Sequence, residues 1–221
     1  MEVFVISVGG SLINPGKVNT RFLKELKKVI LKHAKKNNIL LCTGGGVLAR
    51  DYMHALDQKE SMVRSTMGVA CTQLNAKLLA LYIGNCNEVI PTTIGEVKRM
   101  ILKHRIVIFG GITPGKTSDS STAEIAATVG AKTMINLTNV NGLYDKDPKR
   151  YKDAKFIPKI SHKEFQKIMD KVHEEPGQHF VLDSLAAKIC QQKKINVIIL
   201  KGTKNLEQYL VGKRFIGTII S

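Results

Sequence analysis

Continuous apolar runs alternate along this chain with stretches whose apolar residues recur every three or four positions. Val3 to Ile6, interrupted by Ser7 and resumed at Val8, is one such run, and it closes on Gly9-Gly10-Ser11. A short apolar run stopped by a glycine turn predicts a buried strand over Met1–Val8. From Asn19 to Lys36 the period changes: Phe22, Leu23, Leu26, Val29 and Ile30 share one helical face. The alternation then repeats. Strands are expected at Ile39–Thr43, Ile106–Phe109, Thr133–Leu137, Asn196–Leu200 and Gly217–Ile220. Helices are expected at Val47–Leu56, Ser61–Ile83, Gly95–His104, Ser120–Val129, His162–Lys171 and Leu182–Gln192. A short segment, Asn87–Ile90, falls between two of the helices. Asn139-Val140-Asn141-Gly142 reads as a turn, Tyr144–Lys155 as a loop or hairpin, and Pro176-Gly177 as a loop.

Strands separated by helices predict an α/β fold, a three-layer sandwich with a mostly parallel central sheet. The 221 residues suffice for one such unit, with no linker, repeat or low-complexity break. The expected organisation is a single domain over 1–221, with an N-terminal lobe to about residue 130 and a C-terminal lobe from about 131. No apolar run approaches the roughly 20 residues that span a bilayer. Met1 to Gly10 has no basic n-region and reads as a first strand, not a signal peptide. Cys42, Cys71, Cys86 and Cys190 form no C-x-x-C pair and lie mostly in apolar stretches. They read as reduced core thiols of a cytoplasmic protein.

The net charge is +16, a balance that would suit nucleic acid. The lysines are nevertheless spread over the chain. The densest set, Lys24, Lys27, Lys28, Lys32, Lys35 and Lys36, has no interleaved aromatic residue. A solvated helix face is the preferred reading, and the positive field would attract small anions such as nucleotides.

Three glycine turns each follow an expected strand: Gly9-Gly10-Ser11, Gly44-Gly45-Gly46 and Gly110–Ser118. The carboxyl ends of parallel strands gather on one edge of a sheet, where ligands bind. There glycine lets backbone N–H groups approach phosphate, and a helix N-terminus adds positive potential. Gly110 to Thr117 also fits the P-loop pattern G-x-x-x-x-G-K-T. A P-loop enzyme needs a further strand ending in Asp, and neither Thr133–Leu137 nor Asn196–Leu200 supplies one.

The segment Thr138-Asn139-Val140-Asn141-Gly142-Leu143-Tyr144-Asp145-Lys146-Asp147-Pro148 resembles the T-N-V-D-G-V-Y-x-x-D-P hairpin of the amino-acid-kinase superfamily. Gly44–Arg50 resembles its G-G-G-x-x-A-R turn, Pro114–Asp119 its P-G-x-T-T-D loop, and Asp183–Lys188 its D-P-L-A-A-K segment. The similarity spans nearly the whole chain and is greatest to the archaeal-type uridylate kinases. It implies phosphoryl transfer from ATP, with magnesium, to UMP. Gly10, Ser11, Gly46 and Arg50 would then contact ATP phosphates. Thr138, Asn139, Tyr144 and Asp147 would hold the rest of the ATP. Gly45 and the run Ile112, Thr113, Pro114, Gly115, Lys116, Thr117 and Ser118 would hold the acceptor. Asp119 matches the aspartate that organises cationic groups around the transferred phosphoryl. No residue is assigned to the metal. Relatives are commonly hexamers built from dimers, so a homo-oligomer is expected, with neither a membrane nor a nucleic acid as partner.

Two positions depart from the pattern. Ser7 stands where many members carry a phosphoryl-neutralising lysine, and Lys116 is the candidate replacement. Ser65 stands where the uridylate kinases have an aspartate gripping the acceptor ribose; a serine can still hydrogen-bond a hydroxyl there. Arg64 beside it could reach the acceptor phosphate, and Lys188 could pair with Asp183 or Asp119. Three alternatives remain open at this level: a superfamily kinase with another small phosphate or carboxylate acceptor, a non-catalytic nucleotide sensor of the same fold, and a nucleic-acid-binding protein.

Overall fold

The computed structural model describes residues 1–56, 60–146, 148, 150–172 and 181–221. Strands are β1 (Val3–Val8), β2 (Asn38–Thr43), β3 (Ile106–Phe109), β4 (Thr133–Thr138), β5 (Leu143–Tyr144), β6 (Phe156–Ile157), β7 (Lys159–Ile160), β8 (Asn196–Lys201) and β9 (Gly217–Ile220). Helices are α1 (Gly10–Ile13), α2 (Thr20–His33), α3 (Gly46–Ala55), α4 (Ser61–Ile83), α5 (Ile94–Met100), α6 (Ser118–Thr128), α7 (His162–Val172), α8 (Ser184–Lys193) and α9 (Gly202–Leu210).

Seven strands form one sheet in the order β3-β2-β1-β4-β8-β9-β7, and β5 pairs with β6 apart from it. The run from β3 to β8 is parallel throughout, and β9 closes against β8 in the opposite direction. Strands from both expected lobes therefore share one sheet.

Alternation along each strand feeds two cores. Phe4, Ile6 and Val8 of β1, with Ile135 and Leu137 of β4, pack under α2, α4 and α9 through Leu26, Ile30, Leu79 and Leu206. Val5 of β1, Met134 of β4 and Val197 and Ile199 of β8 face the other way, onto Ala123, Ile125, Phe165 and Ala186 of α6, α7 and α8. Fully burying a side chain of that size is worth about 1.5–3 kcal/mol, so both faces are strongly specified.

Asn87–Ile90 forms no strand. Instead the Asn87 side chain imitates one: its Nδ2 donates to Ile108 O at 2.8 Å, and its Oδ1 accepts from Ile108 N at 2.7 Å. Those bonds occupy backbone groups on the outer edge of β3, which would otherwise be open to pairing. α6 begins at Ser118, two residues before the expected start, because Thr117 supplies the cap through a bond from Ser120 N. α8 begins at Ser184 because Asp183 is its cap. The expected Pro176-Gly177 loop lies outside the described residues.

Candidate active site

Five parallel strands, β1, β2, β3, β4 and β8, deliver their carboxyl ends to one edge of the sheet. β1 is the switch point, with β2 on one side and β4 on the other. The crevice at such a point is where open α/β sheets bind ligands.

At this edge the first two glycine turns touch backbone to backbone. A Cβ added at Gly10 would lie 2.2 Å from Gly46 N and 2.4 Å from Gly44 O, and one at Gly46 would lie 2.5 Å from Gly10 C. Only glycine permits that approach. The opening N–H groups of α1 and α3, at Gly10, Ser11 and Gly46, have no intrahelical acceptor. No other backbone acceptor takes them among the described residues. Convergent unpaired N–H groups form an anion cradle. Arg50 lies exposed on α3, one helical turn beyond Gly46.

The third glycine turn behaves differently. Gly110 packs against α4, where an added Cβ would lie 2.7 Å from Gln73 N. The Gly111 N–H donates to Thr72 Oγ1 at 2.7 Å. The Gly111 amide is thus spent on the protein and is not free to cradle phosphate as a P-loop's are.

Beneath the turns sits a polar cluster. Ser7 and Asn136 are register partners on β1 and β4, each a polar residue inside an otherwise apolar strand. Both address Asp119 in the first turn of α6. Ser7 Oγ donates to Asp119 Oδ1 at 2.6 Å, and Asn136 Nδ2 donates to Oδ2 at 3.4 Å. Asn136 Nδ2 also bonds Val181 O. Burial, reinforced by the negative charge of Asp183, pushes the Asp119 carboxyl from 3.8 up to about 6, against the opposing effect of the Ser7 and Asn136 bonds. Asp119 is in no ion pair among the described residues. A half-buried, partly desolvated carboxylate with donors but no cation among the described residues suits a bound cation. Magnesium commonly takes one or two carboxylates and completes its shell with phosphate and water, so this donor set fits it.

Asp183 ties the cluster together. It accepts from Thr117 Oγ1 at 2.5 Å, Ser120 Oγ at 2.8 Å and Ala186 N at 2.9 Å. One carboxylate thereby caps α8 and fixes the N-terminus of α6, which carries Asp119. Asp119 is not the cap of its own helix. Lys188 is exposed and pairs with neither Asp119 nor Asp183 among the described residues. Ser7, Asn136, Ser120 and Asp183 are absent from the residues expected to form the site. The signal that could have found the first two is a polar side chain at matched depth in two neighbouring apolar strands.

The acceptor segment crosses the N-terminus of α6. Ile112 N–H donates to Ser121 Oγ at 3.4 Å. Thr113 to Lys116 forms a turn closed by Lys116 N to Thr113 O at 3.2 Å. Ser65 Oγ on α4 accepts from Gly115 N at 2.5 Å. Lys116 Nζ is paired with Glu124 on α6. Ser118 lies beside Gly44, its Oγ 3.4 Å from where a Gly44 Cβ would be, and Gly45 caps α3 next to α4. On the opposite side Thr138 ends β4 in register with Lys201. Asn139 is exposed in the turn that follows. Tyr144 stands edge-on to Phe156, 5.4 Å between ring centroids. Asp147 lies outside the described residues. The sheet edge thus brings together Gly10, Ser11, Gly45, Gly46, Asp119 and the 112–118 run, with Thr138 and Asn139 following β4.

The four cysteines are free thiols. Burial pushes Cys42 up to about 12, so it is an inert core group. Among the described residues no helix is long and apolar enough to cross a membrane.

The family model described as the amino acid kinase family matches residues 2–201. The uridylate kinase of Thermoplasma volcanium is 33% identical over 223 residues, covering 99% of this chain and 97% of that protein. The uridylate kinase of Archaeoglobus fulgidus is 32% identical, covering 98% of this chain and 99% of its own. Among solved structures, the crystal structure of uridylate kinase from Archaeoglobus fulgidus superimposes with a TM-score of 0.88 at 30% identity, covering 100% of both chains. UMP kinase from Ureaplasma parvum, at 23% identity and a TM-score of 0.80, shares the fold.

Proposed function

Because this chain belongs to the amino acid kinase family, we propose that it is a UMP kinase, transferring the γ-phosphoryl of ATP to UMP and releasing UDP and ADP. The observation that carries this reading is the Asp119 carboxyl at the switch point, paired with no cation among the described residues. It is flanked on one side by the Gly10–Gly46 cradle and on the other by the 112–118 segment. Two phosphate-bearing ligands entering from those sides meet above Asp119.

Phosphoryl transfer asks for in-line positioning of two phosphates and for neutralised charge on the transferred group. The N–H groups of Gly10, Ser11 and Gly46 hold the donor phosphates, with Arg50 at their outer side. Thr138, Asn139, Tyr144 and Asp147 accommodate the adenosine. Gly45 and residues 112–118 hold the acceptor. The acceptor oxygen of a nucleoside monophosphate is already anionic, so no general base is required. Asp119 orients cations and abstracts no proton. Magnesium, when bound, neutralises phosphate oxygens beside that carboxylate. Lys116 is the protein's own cation for the transferred phosphoryl, and Glu124 holds it within reach of the turn.

The same reading makes the protein a cytoplasmic enzyme of pyrimidine nucleotide synthesis, with an acceptor lobe to about residue 130 and an ATP lobe beyond. It also makes it a homo-oligomer, a hexamer built from dimers. Val63, Leu74 and Leu81 lie exposed along α4. Together with the apolar groove of Leu56, Val63, Met67 and Ala70, they support self-association. Light scattering on the purified chain measures the mass directly, and a monomer at micromolar concentration rejects the oligomer.

The activity is tested by ADP release with UMP, CMP, purine monophosphates and small carboxylates as acceptors. Turnover greatest with UMP is expected. Turnover with another acceptor and none with UMP would transfer the same machinery to that acceptor. ATP binding with no turnover on any acceptor would leave a nucleotide sensor.

A further inference from the structure

The acceptor turn has a defined geometry. Lys116 N closes it on Thr113 O, Pro114 occupies the first central position, and Gly115, with φ of +84°, the second. Proline followed by a residue at positive φ is the signature of a type II turn. The closing bond of such a turn uses the N–H of its last residue, so the Gly115 N–H takes no part in it. Ser65 Oγ takes that N–H at 2.5 Å.

Ser65 lies near the start of α4, whose anchored part is farther along. Cys71, Thr72, Asn75, Ala76, Leu79, Ala80 and Ile83 are buried, and Met62 and Val63 are exposed. Apart from this bond and the one from Gly111 N to Thr72, no hydrogen bond joins α4 to the 110–118 segment among the described residues. The turn is internally stiff, with proline, glycine and a closing bond; Glu124 on α6 holds its last side chain, and its tether to α4 is one hydroxyl.

We infer that Ser65 is a positioning residue: through the Gly115 N–H its hydroxyl sets the orientation of the acceptor turn, and it is not the grip on the acceptor's sugar. This differs from the sugar contact expected from the sequence: Oγ is engaged by the Gly115 N–H, and whether the hydroxyl proton that this bond leaves over also serves the sugar is what the experiment decides. The inference rests on the kinase reading for its catalytic consequence only.

The experiment compares the wild type with Ser65→Ala and Ser65→Thr. Thr keeps the hydroxyl and serves as the conservative rescue. Steady-state kinetics are run with UMP and with its 2′,3′-dideoxy counterpart, which lacks both sugar hydroxyls. A tether predicts that Ser65→Ala raises KM for both acceptors by the same factor, about five- to tenfold for one lost hydrogen bond. KM for ATP stays unchanged, and Ser65→Thr stays near wild type. In the ligand-free proteins, amide exchange at Gly115 should be slow in the wild type and Ser65→Thr and fast in Ser65→Ala. A loss confined to UMP would overturn the inference, since a sugar contact acts only where the hydroxyl is present. Unchanged Gly115 exchange in Ser65→Ala would overturn it as well. If the wild type transfers nothing to either acceptor, the kinase reading fails, and the exchange comparison still decides whether the tether exists.

Discussion

Two stretches of one sheet edge are held by opposite means. Where Gly10 crosses Gly46, backbone meets backbone, and the position of each turn follows from the absence of a side chain on either. Across the crevice, the 113–117 segment is held by side chains: Ser65 on Gly115, Glu124 on Lys116, and Asp183 on Thr117. The first arrangement is all-or-nothing, because a close backbone contact has no graded substitute. The second is a set of separate pegs, each worth the modest net energy of one hydrogen bond or ion pair. A phosphate cradle common to any donor suits the first; a loop that must fit one acceptor suits the second.

The harshest way to break this contrast is Gly10→Ala. An added methyl 2.2 Å from Gly46 N forces two turns apart, and the neighbours are backbone that cannot rotate away. We expect a loss of about 3 kcal/mol or more, a drop of roughly 6–12 °C in Tm for a chain of this size, and loss of ATP binding. Calorimetry and nucleotide titration check both. A stable variant with normal ATP affinity would show that the crossing has slack.

Asp119→Asn comes next, and it separates function from stability. We expect kcat to fall about a hundredfold, the scale of losing one electrostatic organiser; an unchanged kcat removes Asp119 from the mechanism. Stability should move the other way. The folded pKa is raised from 3.8 to about 6, so the folded protein resists an ionisation that the unfolded chain undergoes freely. That cost is absent below about pH 3.8, grows as pH rises, and is complete above about pH 6, where it reaches up to about 3 kcal/mol. Asn keeps the acceptor for Ser7 and carries no charge. Urea denaturation of the ligand-free pair should show Asp119→Asn more stable at pH 7.5, with the gap closing toward pH 4. A gap that widens on acidification would reverse the argument.

Lys116→Met tests a single peg. We expect kcat to drop tenfold or more, measured at saturating UMP and ATP. The partly exposed pair with Glu124 is worth only about 0–1 kcal/mol, so Tm should hardly change. Full kcat in this variant would send the search for the phosphoryl-neutralising cation elsewhere.

How much of this was legible beforehand follows the strength of the periodic signal. The long helix over Ser61–Ile83 and the parallel strands carry many apolar residues and stand where the pattern puts them. α9 was missed because only Thr203 and Leu206 of it are buried, too few to set a period. β6 and β7 have two residues each, below the length at which alternation exists. The glycine turns were legible from their residues, but their division of labour was not. Nothing in Gly-Gly-Gly says that Gly10 will pass against Gly46 while Gly110 packs on α4. Ser7 read as an absence, a missing lysine; the fold makes it a donor to Asp119. Asn136 carries no signal of its own within the Thr133–Leu137 run, and only register places it opposite Ser7.

The smallest effect belongs to Thr117, and it sharpens the comparison most finely. Its hydroxyl does two jobs, accepting from Ser120 N at 3.1 Å as the α6 cap and donating to Asp183 at 2.5 Å. Thr117→Ala removes both, yet Ser120 Oγ still bonds Asp183. The loss should therefore be that of a helix cap, about 1 kcal/mol, or roughly 2–4 °C in Tm. Thr117→Ser keeps the hydroxyl and should lie within about 0.5 kcal/mol of wild type. Removing the carboxylate by Asp183→Ala in both backgrounds separates the two jobs: if the Thr117–Asp183 bond contributes, the double variant loses less than the sum of the singles, by about 0.5 kcal/mol or more. Strict additivity would reduce Thr117 to a cap alone. The 113–117 segment would then be held from α4 and Glu124, with no link through Thr117 to the helix that carries Asp183.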